Sequence, residues 1–506
     1  MPPRESYDWL RAHAVETAYI GSALALLHWD QSTKMPAAGH AHRAAQVASL
    51  TGLLHARRTD PRVGEALAKA RAELLRDDPH SELAANVREW QRAYDRAVRI
   101  PADLAVATAR AAALGETAWQ RARPGSDWRS FLPYLEEIVR LRREEAEAVG
   151  YAGEPYDALL DEYEPGETAA GLEPVLAGLR RELVPLLDRI LGAPRRPDRT
   201  LLSRHVPLEA QRALCREAAA AIGFDFEAGR LDSTAHPFST RIGPGDVRIT
   251  TRYNEHAFDE ALFGAIHEAG HALYSQGIPG AHFGTPCGVS VSLGVHESQS
   301  RLWENMVARS RGFWRHFLPR AAGHVAALEG VALDDLVLAV NAVRPSLIRT
   351  EADEVTYNLH VLLRFGLELA LLRGQLQPRD LPGAWDEAMR SLLGLTPPEL
   401  ADGVMQDVHW AAGLVGYFPT YTLGNLYAAQ LFEAAGRELG GGAQGLDERF
   451  AAGEFASLLE WLRAKVHVHG SRYAPRELMR RATGAELDHG AFMRYLTAKY
   501  EALYGL

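Results

Sequence analysis

Two histidines and a glutamate near the middle of the chain have the spacing that metal-assisted hydrolysis requires. The stretch is His267-Glu268-Ala269-Gly270-His271. Positions i and i+4 lie one turn apart on the same face of a helix, so both imidazoles can reach one metal ion while Glu268 points toward a water on that ion. Zn²⁺ suits two neutral imidazoles plus a carboxylate, with a fourth position left to water. HExxH alone is only moderately specific. A catalytic zinc site also needs a third protein ligand, which must come from elsewhere in the chain.

The residues directly after this stretch do not supply that third ligand. The extended pattern HExxHxxGxxH would do so, but the third residue after His271 is Tyr274, and no histidine follows at the required place. The remaining common arrangement is a glutamate on the next helix. Glu297 is well placed for this role, in the first turn of the next predicted helix, and His296 and Glu304 are competing candidates.

The surrounding sequence predicts a mainly helical protein. Helices are expected where Ala, Leu, Glu and Arg dominate and apolar residues recur at three- and four-residue spacing. They include 12–27, 41–56, 82–98, 170–190, 208–222, 330–344, 348–373, 383–393, 453–466 and 489–504. The helix that carries HEAGH is predicted to run from near Asn254 to about Gln276. By its composition, the glycine-rich stretch 436–445 is predicted to be a flexible surface loop.

One short region has the pattern of strands instead. Apolar and polar residues alternate after the turn Gly243-Pro244-Gly245-Asp246, and extended sequence precedes that turn, which predicts a β-hairpin just before the HEAGH helix. No internal repeat and no linker is visible. We therefore expect a single domain over 1–506, with a mostly helical part at 1–231, the metal and substrate region at 232–430 and a helical part at 431–506.

Composition excludes several classes of function. The 506 residues are 47% hydrophobic and 24% charged, as in an ordinary globular protein. The net charge of -10 is spread along the chain, which argues against nucleic acid as a partner. No apolar run approaches a membrane span, and the N-terminus has no signal-peptide core. The two cysteines, Cys215 and Cys287, suit a reducing compartment, so a cytoplasmic protein without membrane partners is predicted.

Five short motifs occur in order along the chain. They are Asp246-Val247-Arg248-Ile249-Thr250 for DxRxT, HEAGH for HExxH, His296-Glu297-Ser298-Gln299 for HESQ, Ile348-Arg349-Thr350-Glu351-Ala352-Asp353 for IRxxAD, and Gly403-Val404-Met405-Gln406-Asp407-Val408-His409-Trp410 for GxxQDxHW. Together they resemble the motifs of the carboxypeptidase Taq family of thermostable zinc carboxypeptidases. No motif position departs from the pattern, and the resemblance spans essentially the whole chain.

The resemblance implies a metal bound by His267, His271 and Glu297, with Glu268 as the general base. The metal would be Zn²⁺, with Co²⁺ or Mn²⁺ possible in its place. The implied fold is a large, mainly α, zincin-type body with a deep active-site groove and a small hairpin or sheet beside the HExxH helix. The implied activity is removal of single C-terminal residues from peptides with a free C-terminus, with broad specificity and with proline disfavoured. A homodimer is also implied.

Further site residues are expected from the chemistry of the reaction. The oxyanion that develops during hydrolysis needs donors besides the metal, and His409 is the first candidate. Tyr417 is the second, with Tyr421 as its rival and as a candidate substrate contact. Core packing is the alternative for each of these aromatic residues.

An exopeptidase must also recognise a free α-carboxylate, and an arginine fork suits this. Arg349 and Arg248 are the two candidate substrate-binding arginines. Arg349 is preferred, and the other role open to Arg248 is to orient neighbouring carboxylates. A structural ion pair is the alternative for either. Metal-binding imidazoles usually have a second hydrogen-bond acceptor. Asp353 and Asp407 are candidates for that role, and pairing with an arginine would explain them equally well.

Two other functions share part of this pattern. A helical zinc oligopeptidase would share HExxH and the distal glutamate, but the IRxxAD and DxRxT motifs favour the exopeptidase. A catalytically silent scaffold would be expected to have lost Glu268 or a ligand, and the chain retains all of them.

Overall fold

The computed structural model describes residues 3–74 and 78–506, and helices make up most of it. The helices before the sheet are α1 (Pro3–Thr33), α2 (His40–Arg58), α3 (Pro61–Leu74), α4 (Glu82–Arg99), α5 (Ala102–Ala122), α6 (Trp128–Val149), α7 (Pro155–Leu160), α8 (Ala169–Gly192) and α9 (Leu208–Ala221). The strands are β1 (Gly229–Ser233), β2 (Ser239–Gly243) and β3 (Asp246–Thr251). The helices after the sheet are α10 (Phe258–Gly277), α11 (Leu293–Arg301), α12 (Arg311–His324), α13 (Leu333–Val340), α14 (Tyr357–Leu372), α15 (Leu381–Leu393), α16 (Pro419–Leu439), α17 (Gly442–Ala451), α18 (Ala456–Lys465), α19 (Pro475–Thr483) and α20 (Gly490–Tyr504). A π-helix at Leu302–Ala308 continues directly from α11.

Contacts between residues divide the chain into two compact units, each built from three separate segments. Unit I contains Met1–Val98, Pro197–Val340 and Tyr427–Glu486. Unit II contains Arg99–Arg196, Asn341–Leu426 and Leu487–Leu506. Unit I therefore carries the sheet, the HEAGH helix and the HESQ motif, and unit II carries the IRxxAD and GxxQDxHW motifs.

Helix α10 is the central element of unit I, and apolar side chains cover nearly its whole circumference. It contacts α9, α11, the π-helix and the sheet. A helix that is apolar all round is a core helix. Asp259 and Glu260 in its first turn complement the helix dipole. The helix ends at Gly277, because Pro279 forces the residue before it, Ile278, into an extended conformation. Core packing on several sides thus fixes the two HEAGH histidines.

The sheet lies against α10 in the order β1-β3-β2. Strands β2 and β3 form the predicted antiparallel hairpin, which is confirmed. Strand β1, which pairs in parallel with β3, was not predicted. Val247 and Ile249 of β3 are buried, and the Thr251 hydroxyl donates to the Ala261 carbonyl of α10 at 2.9 Å. Because β3 is the middle strand, the edges of the sheet belong to β1 and β2.

Most of the predicted helices are confirmed within a few residues, but two start later than expected. Helix α10 begins at Phe258 rather than near Asn254, because the Asn254 side chain accepts a hydrogen bond from the His256 N–H and forms a turn. The helix predicted over 348–373 begins only at Tyr357. The Asp353 carboxylate accepts the N–H groups of Val355 and Thr356, so the IRxxAD motif precedes the helix instead of lying on it.

The prediction of a flexible loop over 436–445 was wrong. Helix α16 continues to Leu439, and α17 already begins at Gly442. The glycines allow the two helices to meet closely, since a Cβ at Gly436 would lie 2.8 Å from the Gly442 carbonyl carbon. Glycine here serves backbone contact and not flexibility. Among the described residues, no helix has both the length and the apolarity needed to cross a bilayer.

Candidate active site

The two HEAGH histidines and the HESQ glutamate meet around one point in unit I. His267 and His271 lie one turn apart on α10, with ring centroids 4.9 Å apart. Glu297 lies in α11, and its Oε2 is 3.7 Å from His267 Nε2 and 3.4 Å from His271 Nε2. The three ligand atoms lie within 4.8 Å of one another. In the described ranges, no other set of three or more His, Cys, Asp or Glu side chains is close enough to hold a metal.

The other ring nitrogen of each histidine has its own partner. His267 Nδ1 lies 2.9 Å from Glu304 Oε2, and His271 Nδ1 lies 3.0 Å from the His296 carbonyl oxygen. Both partners are acceptors, so each imidazole carries its proton on Nδ1 in the neutral state. The lone pair of each Nε2 is then left for a metal, which is the usual arrangement of metal-binding histidines.

These donors fit a divalent metal such as Zn²⁺. Ligands about 2.0–2.1 Å from a tetrahedral ion are separated by about 3.3 Å, close to the observed distances of 3.4 and 3.7 Å between the carboxylate oxygen and the two imidazoles. Two neutral imidazoles and one carboxylate also match the ligand types of a catalytic zinc. The residues present therefore suit the metal that the sequence predicts.

Helices α10 and α11 approach each other closely at the middle of the HEAGH stretch. A Cβ at Gly270 would lie 2.7 Å from both the Gln299 carbonyl oxygen and the Ser300 Cα. Both atoms belong to the backbone of α11, so neither can rotate away. Glycine at this position thus allows the helix with the two histidines and the helix with the glutamate to share one site.

Charged side chains from α11 and the π-helix surround the ligands. Arg301 Nε donates to Glu297 Oε1 at 2.6 Å, and Arg309 Nη2 donates to Glu304 Oε1 at 3.1 Å. Burial opposes ionisation of both carboxylates. The charge of Arg301 nevertheless holds the pKa of Glu297 well below its ordinary value. The hydrogen bond to His267 and the two arginines lower the pKa of Glu304 in the same way.

Glu268 differs from these carboxylates in its surroundings. It lies between the two histidines in sequence and is buried. Within the part of the chain that the structure describes, its carboxylate has no hydrogen-bond partner. Burial raises the pKa of Glu268, an effect that the neighbouring histidines oppose. An unengaged carboxylate of raised pKa can both accept and return a proton.

In unit II, one carboxylate holds two buried arginines together. Arg349 Nη2 donates to Asp407 Oδ1 at 2.7 Å, and Arg364 Nε donates to Asp407 Oδ2 at 2.7 Å. Arg349 Nη1 also donates to the Tyr357 hydroxyl at 2.9 Å. Despite burial, the charges of the two arginines hold the pKa of Asp407 far below its ordinary value. Arg349 Nε also donates to Asp407, 3.2 Å from Oδ1. A guanidinium has five N–H donors, and Arg349 uses one on each of its three nitrogens, so two remain.

The aromatic candidates lie beside this cluster. His409 Nε2 is 3.2 Å from the Tyr421 hydroxyl, and its ring centroid is 5.4 Å from that of Tyr417. Tyr417 also contacts Tyr163 edge to face, with centroids 5.2 Å apart. Burial lowers the pKa of His409 to about 4, so its imidazole is neutral at pH 7.

The two aspartates proposed as partners of the metal-binding histidines have other partners. Asp353 Oδ2 accepts the Arg344 N–H at 2.9 Å and the Thr356 hydroxyl at 2.9 Å, which fixes the start of α14. Asp407 pairs with the two arginines described above. The acceptors at the histidine Nδ1 atoms are Glu304 and the His296 carbonyl instead, both from the region of α11.

Arg248 lies in unit I, in a two-point ion pair within its own motif. Its Nε and Nη2 donate to Asp246 at 2.8 and 2.7 Å. The guanidinium also lies over the Trp29 ring, 4.3 Å from its centroid. Trp29 lies in α1, so this contact joins α1 to the hairpin.

The structure thus forms two groups of sequence-predicted residues, one in each unit. Unit I brings together His267, Glu268, His271 and Glu297, and unit II brings together Arg349, Asp407, His409, Tyr417 and Tyr421. Sequence reasoning missed Arg301, Arg364 and Glu368. Arg301 could have been found, since it follows Glu297 by four residues and shares its helix face. The partner of Arg364 lies 43 residues away in the chain, which no local pattern reveals.

Glu368 is, like Arg364, a missed residue with no exposed surface. It is fully buried in α14 and accepts hydrogen bonds from the Tyr156 hydroxyl at 2.8 Å, the Trp410 indole N–H at 2.9 Å and the Gly416 N–H at 3.2 Å. Burial raises its pKa to about 7. Its contacts fix Trp410, the last residue of the GxxQDxHW motif.

Comparison with known proteins gives consistent results. A family model described as carboxypeptidase Taq (M32) metallopeptidase matches residues 9–500. The thermostable carboxypeptidase 1 of Thermus thermophilus is 56% identical over 514 residues, covering 100% of both chains. The crystal structure of an M32 carboxypeptidase from Deinococcus radiodurans has a TM-score of 0.95 at 43% identity, with 99% of this chain and 100% of that chain covered. A structure of the Pyrococcus furiosus carboxypeptidase, described as Apo-Mg, has a TM-score of 0.94 at 36% identity, covering 98% and 99%.

Proposed function

The chain belongs to the carboxypeptidase Taq (M32) family of metallopeptidases, and we propose that it removes single residues from the free C-terminus of peptides. It is a metallocarboxypeptidase by this membership. The main structural support for this proposal is the arrangement of His267, His271 and Glu297. Their ligand atoms lie within 4.8 Å of one another.

When bound at these three residues, a divalent metal would lower the pKa of water and polarise the scissile carbonyl. We propose Zn²⁺, because two imidazoles and one carboxylate suit it, with Co²⁺ or Mn²⁺ as possible replacements. The Nδ1 hydrogen bonds to Glu304 and the His296 carbonyl keep both imidazoles in the tautomer that leaves Nε2 free.

Glu268 is proposed as the general base. Its carboxylate would accept the proton of the attacking water and return it to the leaving amine nitrogen as the peptide C–N bond breaks. Its burial and raised pKa support both transfers. The absence of any other hydrogen bond on its carboxylate, among the described residues, leaves it available for them.

His409 is proposed as a donor to the oxyanion of the tetrahedral intermediate. Its neutral imidazole at pH 7 supports this, because it can donate one N–H without adding a buried charge. Tyr417 and Tyr421 are proposed beside it, the first as a second oxyanion donor and the second as a substrate contact. The hydrogen bond between His409 and Tyr421 supports a shared orientation of these groups.

Arg349 is proposed to bind the substrate α-carboxylate. The two N–H donors that remain beyond its bonds to Asp407 and Tyr357 support this role. Asp407 then serves to hold the guanidinium in place. Arg248 is proposed as a second substrate-binding arginine, and its two-point ion pair with Asp246 supports an additional role in orienting that carboxylate.

Family resemblance also supports a homodimer and a low rate for C-terminal proline. The two cysteines, both free and buried, support a reducing, cytoplasmic setting. No nucleic acid and no membrane partner is proposed.

Mass spectrometry of two forms of one short peptide tests this function. Metal-loaded protein should produce a ladder of one-residue losses from the peptide with a free C-terminus and none from the C-terminally amidated form. A chelator should stop the reaction. Internal cuts in both peptides would mean an endopeptidase, and an absence of cleavage with Zn²⁺, Co²⁺ and Mn²⁺ would mean a silent scaffold.

Glu268→Gln separates catalysis from metal binding in the same assay. The variant should keep its metal content, because Glu268 is not one of the three ligands, and should lose nearly all cleavage. Unchanged cleavage would remove Glu268 from the mechanism.

A further inference from the structure

Arg301 contacts two carboxylates that have different tasks at the metal site. Its Nε donates to Glu297 Oε1 at 2.6 Å, and its Nη1 lies 3.4 Å from Glu304 Oε2. Glu297 is the carboxylate ligand of the proposed metal site, and Glu304 is the acceptor for His267 Nδ1. One guanidinium therefore spans the ligand and the group that orients another ligand.

The two oxygens of Glu297 face different partners as a result. Oε1 is engaged by Arg301, whereas Oε2 faces His267 Nε2 and His271 Nε2 at 3.7 and 3.4 Å. The hydroxyl of Ser300 lies 3.1 Å from Oε2 but only 2.7 Å from the Glu297 carbonyl oxygen, which takes its single proton. Oε2 thus faces the proposed metal position, whereas Oε1 is engaged by the Arg301 guanidinium.

The network is shielded from water and anchored at its far end. The side chains of Arg301 and Glu304 are only 15% and 12% exposed. Arg309 donates to Glu304 Oε1 at 3.1 Å and to the Val340 carbonyl at 2.6 Å. Its guanidinium also lies over the Phe263 ring of α10, 3.8 Å from the centroid. Arg301 and Arg309 therefore hold Glu304 from both sides while it accepts a hydrogen bond from His267 Nδ1.

We infer that Arg301 is a positioning residue that restricts Glu297 to one-oxygen metal coordination and holds Glu304 against His267. The inference rests on the metal site of the proposed function. Arginine is needed because its fork offers two donors in a fixed plane, one for each carboxylate. Lysine has the same charge at a single nitrogen and cannot reproduce both contacts at these positions.

Metal affinity tests the inference without reference to catalysis. Competition with a chromophoric chelator gives the Kd for Zn²⁺ of wild type, Arg301→Lys and Arg301→Gln. Both variants should bind about 10–100-fold more weakly, which is the usual effect of losing an outer hydrogen bond at a metal site. Arg311→Lys is the matched control, because Arg311 is an exposed arginine ten residues further along whose ion pair is with Asp334. It should keep the wild-type Kd.

The visible spectrum of the Co²⁺-loaded proteins reports on coordination. Release of Glu297 Oε1 should allow both oxygens to bind, and five-coordinate Co²⁺ absorbs more weakly than four-coordinate Co²⁺. Arg301→Lys should therefore show weaker absorption than wild type, while Arg311→Lys should not.

Two results would overturn the inference while leaving the proposed function intact. One is a wild-type Kd and an unchanged Co²⁺ spectrum for Arg301→Lys. The other, which needs no variant to fold, is a crystal structure of the Zn²⁺-loaded wild type with both Glu297 oxygens on the ion. Wild-type protein that binds neither Zn²⁺ nor Co²⁺ would overturn the proposed function, and the inference with it.

Discussion

Replacing Gly270 by alanine would alter the distance between the two helices that carry the proposed ligands. The added Cβ would lie 2.7 Å from the Gln299 carbonyl oxygen and the Ser300 Cα, 0.7 Å short of the 3.4 Å at which ordinary contact begins. Both atoms are backbone, so α11 must move relative to α10. A shift of this size exceeds the tolerance of about 0.2 Å that metal–ligand distances allow. We therefore expect Glu297 to be displaced from the two histidines.

The expected cost follows from two opposing effects. Forcing an extra methyl group into a packed contact costs about 1–3 kcal/mol. Alanine in place of a helical glycine stabilises the helix by up to about 1 kcal/mol. Gly366 in α14 is the matched control, because an added Cβ there meets nothing within 4 Å. Gly270→Ala should unfold at a lower temperature than wild type, and Gly366→Ala at the same or a higher one.

Zn²⁺ affinity measured by chelator competition completes this test. Gly270→Ala should bind about tenfold or more weakly, equivalent to at least about 1.4 kcal/mol, and Gly366→Ala should bind like wild type. Equal melting temperatures and equal Zn²⁺ affinities for the two variants would refute the idea that Gly270 sets this distance.

Three further predictions concern stability. The pKa of Glu368 is about 7 in the folded state and 4.5 as its ordinary value, so the folded state binds more protons than the unfolded state between these pH values. The free energy of unfolding should therefore fall by about 3 kcal/mol as pH rises from 4.5 to 7. Thermal melts of Glu368→Gln should not show this pH dependence. Asp407→Asn leaves Arg349 and Arg364 buried without a carboxylate, so its melting temperature should drop, with a cost of about 3–5 kcal/mol. Chelator should lower the melting temperature of wild type, by an amount equivalent to about 2.7 kcal/mol for Zn²⁺ held at 100 times its Kd, and should change that of His267→Ala much less.

Local patterns were sufficient to predict most helices and the grouping of His267, His271 and Glu297. The i, i+4 spacing of His267 and His271 places both on one face of a helix, whatever the rest of the fold does. The hairpin was visible because a glycine–proline turn interrupts alternating sequence. Strand β1 was missed because Gly229–Ser233 pairs in parallel with β3, and parallel pairing leaves no turn signal between the two strands.

The predictions that differ from the structure concern residues whose roles depend on tertiary contacts. Nothing near Asp353 in sequence shows that its carboxylate caps α14 instead of serving a histidine. The partner of His267 Nδ1 is Glu304, for which the sequence predicts only the role of a competing metal ligand. The stretch 436–445 has a loop-like composition, yet its glycines let two helices touch. In each case the local sequence is compatible with two structural roles, and a tertiary contact determines which one occurs.

The π-helix at Leu302–Ala308 has a consequence for insertions and deletions. Side chains five residues apart are neighbours in a π-helix, whereas in an α-helix the neighbours are three or four apart. Glu304 and Arg309, which are in contact, have the spacing of five. Loss of one residue between them would shorten the spacing to four and let the segment become an ordinary α-helix with the pair intact. We therefore expect relatives with a one-residue gap at 305–308 to keep both side chains, and a gap between Glu297 and Arg301 to be absent.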